Sequence, residues 1–199
     1  MLNFWDDRYS DNEYAYGTKP NAYFQRKIDS LTPGSILLPA EGEGRNAVYA
    51  AQNGWNVTAF DSSKIGMHKA LLLAESMDTK IKYILQNVEE FESKKKFDAV
   101  GFVFSHFGKV LNNKLYPRLS DMVKSGGHII FECFSINQAE FRNESGGPDD
   151  IEMLFTTGDI HQLFPDYDVL DLAERIVELD EGIYHQGKAS VVNFFGRKK

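Results

Sequence analysis

The segment 36–61, ILLPAEGEGRNAVYAAQNGWNVTAFD, constrains this chain more than any other stretch. A short apolar run leads into Gly42-Glu43-Gly44, a helix begins at about Arg45 or Asn46, and a second apolar run ends at Asp61. That order predicts a strand, a glycine turn, a helix and a second strand parallel to the first. Gly42 and Gly44 let the backbone turn sharply and approach a ligand where a β-carbon would clash. The helix start leaves amide N–H groups and positive potential facing that ligand. Asp61, at the tip of the second strand, can accept hydrogen bonds from both hydroxyls of a ribose. Strand, turn, helix and acid together read as a nucleotide-binding unit. Because GEGRNA also satisfies G-x-G-x-x-A, the loop alone does not choose among adenosine-bearing cofactors.

The pattern continues along the chain. Strands are expected at 36–40, 56–60, 81–85, 98–104 and 128–134, several of them continuous apolar runs of the kind buried on both faces. Helices are expected at 47–51 and 65–74, with a further helix carrying Leu115, Leu119, Met122 and Val123 on one face and stopping at Ser125-Gly126-Gly127. After an irregular stretch broken by Ser145-Gly146-Gly147-Pro148, Thr156 and Asp159 form a capping box for a short helix that buries Ile160, Leu163 and Phe164. Extended segments at 167–179 and 188–196, joined by DEGIYHQG, form an antiparallel hairpin. The expected fold is α/β: a Rossmann-like seven-stranded, mostly parallel sheet, helices on both faces, and a C-terminal antiparallel hairpin. It is read as a single domain, 1–199, with an N-terminal helical cap over the cofactor (1–34), cofactor-binding βα units (35–134) and a substrate-side loop, helix and hairpin (135–199).

Charge and composition narrow the partners. Basic residues number 22 against 29 acidic ones, a net charge of −7, which repels phosphate backbones and argues against nucleic acid. Apolar runs stay far below the roughly 20 residues of a membrane helix, and the start, MLNFWDDRYSDNEY, has neither a basic nor an apolar leader region. Cys133 is the one cysteine, so no internal disulfide forms, and no His/Cys/Asp cluster has metal-ligand spacing. These features predict a cytoplasmic protein with a small-molecule substrate, no metal and no membrane or nucleic-acid partner, as a monomer or homodimer. Three features favour S-adenosylmethionine over a nicotinamide as its cofactor. About 35 residues precede the first strand, Glu41 adds negative charge where a pyrophosphate would be repelled but a sulfonium tolerated, and the closing hairpin is foreign to dinucleotide sheets.

With these residues in place, the chain resembles the class I S-adenosylmethionine-dependent methyltransferases and, within them, the tellurite-resistance methyltransferase family. WDDRYSDNEYAYGTKPNAYF, LLPAEGEGRNAVYAAQNGWNVTAFDSS, GGPDDIEMLFT and EGIYHQGKASVV are similar to that family's motifs and occur in its order. The resemblance implies methyl transfer by in-line displacement to a small nucleophile such as a thiol or chalcogen oxyanion. A nicotinamide oxidoreductase, or a non-catalytic protein that binds S-adenosylmethionine, is the alternative. The resemblance places Glu41, Gly42 and Gly44 along the methionine moiety, Asp61 on the ribose and Ser62 beside the adenosine, with Ala40 and Asn46 also at the cofactor. Asn87 and Val88 stand where the family has Asp-Leu at the adenine edge, and an Asn oxygen still accepts from the adenine amino group. Arg8, with Trp5 and Tyr9, matches the family's opening and is assigned to the methionine carboxylate. Ser105 stands where the family often has a cysteine before the histidine of FSHF, and it too is placed by the cofactor.

On the acceptor side, a soft anionic nucleophile needs no base, whereas a protic one needs His106 or His185. His106 ends the fourth strand, at the edge where open parallel sheets bind ligands. Tyr14, Phe107, Tyr184 and Lys188 are assigned to the acceptor, with Tyr16 and Phe104 as further aromatic neighbours able to stack on a sulfonium. Cys133 is expected as a buried apolar thiol, and the lysines at 94–96 and the basic residues of 197–199 as solvated.

Overall fold

The structure, a computed structural model, describes residues 2–199, with side chains from Phe4 onward. Its strands form where the apolar runs are shortest and most continuous. β1 (Ser35–Pro39) is buried throughout and pairs in parallel with β2 (Asn56–Asp61) and β4 (Phe97–Val103). β3 (Lys82–Leu85) extends the sheet beyond β2, and β5 (Val123–Phe134) extends it beyond β4. The C-terminal β6 (Tyr167–Glu181) and β7 (His185–Lys198) form the expected antiparallel hairpin, with β7 inserted between β5 and β6. The sheet has seven strands in the order β3-β2-β1-β4-β5-β7-β6. The order reverses between β1 and β4, which opens a crevice at their carboxyl ends.

α2 (Ala22–Ile28), α3 (Arg45–Gln52) and α4 (Lys64–Ser76) accompany one face of the sheet. There Phe24, Ile28, Ala47 and Ala50 bury against Ile36, Leu38 and Ile130. α5 (Lys109–Ser120) and α7 (Thr157–Leu163) cover the other face, where Tyr116, Leu119, Ile160 and Leu163 meet Val100, Phe102 and Phe131. Cys133 lies in this second layer, fully buried. Thr156 and Asp159 form the expected capping box of α7. A four-residue helix, α6 (Arg142–Ser145), interrupts the long connection after β5. Among the described residues, no helix is long and apolar enough to cross a membrane.

Two boundaries differ from the sequence reading. The helix expected to run through Met122 and Val123 ends at Ser120, and Val123 instead opens β5 by pairing with Phe97. Ser125-Gly126-Gly127 therefore does not cap a helix; it carries an irregularity inside β5, whose partner advances only from Phe97 to Ala99. Glycine is needed there because Gly126 has φ +76° and a β-carbon on Gly127 would lie 2.7 Å from the Asp98 carbonyl oxygen. The hairpin is also longer than expected. Its strands run to Glu181 and from His185, which makes those two residues cross-strand neighbours.

The first 34 residues divide. α1 (Leu2–Arg8) packs on α4, and the loop after it meets the hairpin turn, where Ile183 donates its N–H to the Ala15 carbonyl at 3.1 Å. α2 belongs instead to the core beneath the sheet. The part before Gly17 lies at the carboxyl edge of the strands, and from the rest Asn21, just before α2, reaches it through Glu181.

Candidate active site

Adjacent strands β1 and β4 both end in left-handed backbone without glycine, Ala40 at φ 50° and Phe104 at φ 48°. For residues with a β-carbon this costs on the order of 1–3 kcal/mol each, and such strain collects at functional sites. The two residues flank the crevice where the strand order reverses. Gly42 follows at φ +59°, and a β-carbon there would stand 2.6 Å from the Tyr9 hydroxyl. Gly44, at φ +85°, lets α3 start against α4, where a β-carbon would meet that of Ala70 at 2.5 Å. One glycine thus admits the N-terminal cap onto the loop, and the other admits a neighbouring helix.

The loop is lined with carboxylates. Asp61 is buried, and its oxygens accept the N–H of Gly42 at 3.0 Å and of Ser63 at 2.8 Å. Burial pushes its pKa up while those donors hold it down. Glu41 accepts the Ala47 N–H at 2.7 Å at the start of α3, and burial lifts it to about 7. Glu43 is buried beside Lys69, with Oε1 2.5 Å from Nζ. The same Lys69 ammonium donates to the carbonyls of Asp11 at 2.9 Å and Glu13 at 2.7 Å, which ties α4, the glycine turn and the cap together. Asp6 of α1 accepts from the Ser63 hydroxyl at 2.6 Å, at the start of α4. Tyr83 closes the floor by donating to the Gly42 carbonyl at 2.6 Å.

Beyond the loop lies a second cluster around His185. Its ring centroid is 4.5 Å from that of Tyr16, 4.7 Å from Phe104 and 5.2 Å from Phe134. Nδ1 faces Glu181 Oε2 at 3.4 Å, and the same oxygen takes a 2.8 Å bond from Arg45 at the start of α3. Glu181 Oε1 and Glu132 Oε1 share the Asn21 amide, at 2.9 and 2.5 Å. Glu132 also accepts from Asn193 at 2.5 Å. Burial lifts Glu132 to about 7. Arg45 and His185 outweigh burial at Glu181 and hold it at about 2.

The two histidines differ. His106 donates Nδ1–H to the Met153 carbonyl at 2.7 Å, and Nε2 faces the Phe134 N–H at 3.5 Å, so both nitrogens serve the packing. Burial pushes its pKa down to about 4. Burial also lowers His185, against the pull of Glu181.

Other residues singled out from the sequence are scattered. Arg8 donates to the Tyr16 hydroxyl at 3.1 Å and lies 3.9 Å over the Tyr184 ring, at the mouth of the His185 cluster. Asn46 accepts the Asn21 N–H at 2.9 Å, beside the loop. Ser62 is half-buried next to Asp61. Asn87 closes its own turn by accepting from Glu89 N–H at 3.1 Å, and Val88 packs into the core. The Ser105 hydroxyl turns to Tyr116 at 3.2 Å, and Phe107 packs toward the same ring at 5.8 Å. Tyr14 bonds the Lys69 carbonyl at 3.1 Å, and Lys188 points to solvent on β7. The aromatic neighbours of His185 are therefore Tyr16 and Phe104 rather than Tyr14 and Phe107. The sequence reading missed Arg45, Glu132, Glu181 and Asn21 as site residues. A carboxylate four residues before a histidine across a hairpin turn was the available signal for Glu181.

Known proteins bear on this geometry. Residues 36–127 match the family described as methyltransferase domain. A ubiquinone biosynthesis O-methyltransferase of Rickettsia akari is 34% identical over 94 residues, which are 46% of this chain and 36% of that protein. The match thus spans about a third of the length of that curated relative. TehB from Haemophilus influenzae superposes with a TM-score of 0.75 at 16% identity, covering 100% of this chain and 67% of TehB. The N-methyltransferase NodS from Bradyrhizobium japonicum, solved with S-adenosyl-L-homocysteine, gives a TM-score of 0.71 at 9% identity, covering 99% of this chain and 97% of NodS. Residues 36–127 thus match a methyltransferase domain, and the chain as a whole shares the fold of TehB and NodS.

Proposed function

We propose that this chain transfers a methyl group from S-adenosylmethionine to a small-molecule nucleophile. The observation that carries this reading is the acidic glycine turn, Glu41-Gly42-Glu43-Gly44, closed from below by Asp61 through the Gly42 N–H at 3.0 Å. Asp61 and Glu41 oppose a pyrophosphate, Glu43 being already neutralised by Lys69, and they suit a group that carries an ammonium and a sulfonium. The residues present therefore fit S-adenosylmethionine. Asp61 is positioned to receive the ribose hydroxyls, the Gly42–Gly44 backbone the methionine moiety, and Arg8 the carboxylate. Ser62, Asn87 and Val88 are assigned to the adenine side, where Asn87 has to release its bond from Glu89 in order to bond the base.

The bound sulfonium supplies an electrophilic methyl group. The chain's part is alignment and exclusion of water, and a near-attack geometry is worth up to roughly 7–11 kcal/mol of the barrier. Tyr9 brings the cap onto the loop, while Tyr16, Phe104 and Phe134 form the apolar wall beside His185. His185 stands at that wall as the group able to take a proton, whereas His106 supports the wall through Met153 and Phe134. The ubiquinone biosynthesis O-methyltransferase relative supports a small acceptor of this kind.

Calorimetric titration with S-adenosylhomocysteine, with NADH in parallel, tests the reading. One-to-one binding of S-adenosylhomocysteine alone supports it; binding of NADH alone, or of neither, overturns it.

A further inference from the structure

The cluster around His185 has more charge and hydrogen bonding than methyl transfer to a ready-made anion needs. We propose that Glu181 is a positioning residue for His185, and that together they serve a neutral, apolar acceptor bearing a weakly acidic O–H or S–H. The proposal rests on the methyltransferase reading above and narrows its acceptor.

Glu181 fixes the tautomer. Its carboxylate can only accept, so the 3.4 Å contact makes Nδ1 the protonated nitrogen of His185 and leaves the lone pair on Nε2. Among the described residues this is the only hydrogen bond made by the ring. Bonds of this type are often long before substrate arrives. Glu181 is itself held from two sides, by Arg45 at 2.8 Å and Asn21 at 2.9 Å. The two residues face each other as the closing pair of the β6–β7 hairpin, so backbone register fixes their separation. His106 has no equivalent freedom, because both its nitrogens are engaged.

The surroundings exclude an anion. The nearby cations are already committed: Arg45 is paired with Glu181, and Arg8, which bonds Tyr16 and covers Tyr184, is the group proposed above for the methionine carboxylate. Glu132 shares the Asn21 side-chain amide with Glu181, and Glu43 and Asp61 lie along the loop. An oxyanion brought to His185 would enter a buried site with more carboxylates than unpaired cations, at a steep electrostatic cost. A neutral molecule would meet the faces of Tyr16, Phe104 and Phe134 instead. In the step, the acceptor's proton passes to Nε2 as its oxygen or sulfur bonds the methyl carbon. The methyl–sulfonium bond breaks, its electron pair stays on that sulfur as a thioether, and the imidazolium then releases its proton to solvent. The groups facing the ring that bear on its titration are Glu181 on β6, Arg45 on α3, Arg8 on α1, His106 after β4 and the Tyr16 phenol.

The test has two independent parts. Nitrogen-15 NMR of the histidine-labelled, ligand-free protein should show His185 neutral at pH 7.5 and protonated on Nδ1, and Glu181→Gln should lower its pKa. A ring protonated on Nε2, or a pKa unmoved by Glu181→Gln, overturns the positioning role. The second part compares methylation of a phenol, whose pKa is near 10, of an aryl thiol already ionised at neutral pH, and of inorganic selenite. His185→Phe preserves the aromatic wall and the Arg45–Glu181 pair. It should cost about 10²- to 10⁴-fold on the phenol and far less on the aryl thiolate. Equal losses on both, or transfer to selenite but to neither neutral nor thiol acceptor, overturns the proposal. S-adenosylhomocysteine titration of each variant separates the two readings. If the wild type does not bind it, the cofactor assignment falls, while the NMR result still decides the His185–Glu181 relationship.

Discussion

The carboxylate of Asp61 accepts the backbone N–H of Gly42 at 3.0 Å, so the acid that ends β2 also shapes the turn that follows β1. Its other oxygen holds the Ser63 N–H at 2.8 Å, beside the start of α4. Asp61 therefore shapes the loop itself as well as standing where the proposed ribose would bind. Asp61→Ala should weaken S-adenosylhomocysteine binding by roughly 1.5–3 kcal/mol, the scale of hydrogen bonds to a charged group. Asp61→Asn, which keeps one acceptor for the loop, should lose less. Calorimetric titration of both variants checks this, and equal affinity for wild type and Asp61→Ala would remove Asp61 from the cofactor site.

The contact between Gly42 and Tyr9 makes a second prediction. Gly42→Ala puts a β-carbon 2.6 Å from the Tyr9 hydroxyl and an L-residue at φ +59°. The backbone part costs on the order of 1–2 kcal/mol; the steric part falls on the cap. In a Tyr9→Phe background the steric part should shrink and the backbone part remain. Urea unfolding of the two single variants and the double variant measures the coupling, and strict additivity would show that the cap does not close on the loop.

Lys69 provides a third. Its ammonium neutralises buried Glu43 at 2.5 Å and bonds two carbonyls of the cap, so Lys69→Met leaves that carboxylate alone and frees residues 9–14. Breaking a buried pair from one side costs about 3–5 kcal/mol. Adding Glu43→Gln should recover much of the stability while the cap stays loose. Thermal unfolding reads the first effect, and limited proteolysis near the N-terminus reads the second.

His106 gives a pH prediction. Burial lowers its pKa from 6.5 in the unfolded chain to about 4 in the fold. Between those values the unfolded state takes up a proton that the native state refuses. Its contribution is therefore complete above pH 6.5 and lost as the pH falls toward about 4. Relative to His106→Phe, the wild type should lose on the order of 2–3 kcal/mol across that window. Glu41 and Glu132, raised to about 7, work in the opposite direction, but they act equally in both proteins and cancel in the difference. A constant gap between the two denaturation midpoints from pH 7 to pH 4 would contradict the neutral buried ring.

Much of the cofactor side was legible in the sequence because its signals are local. The run before Gly42, the turn, the first residues of α3 and Asp61 lie within one βαβ unit, and periodicity with glycine placement suffices to order them. The C-terminal hairpin was legible for the same reason. The end of α5 was misread because Met122 and Val123 continue the helical spacing. Only pairing of Val123 with Phe97 shows that the chain has already joined the sheet.

The acceptor side depends on contacts that no local pattern carries. Arg45 and Glu181 meet across 136 residues, and Asn21 reaches Glu132 across 111. These meetings follow from strand order: β7 inserts beside β5 and brings the hairpin turn over the start of α3. Tyr14 and Tyr16 look interchangeable in the sequence. The backbone between them turns one toward Lys69 and the other toward His185. The sequence alone thus determined the sheet, its glycine turn and the acid at the tip of β2, since short-range periodicity and turn chemistry encode them. The tertiary structure alone decided which histidine keeps a free nitrogen and which carboxylate holds it, because burial and long-range pairing set both.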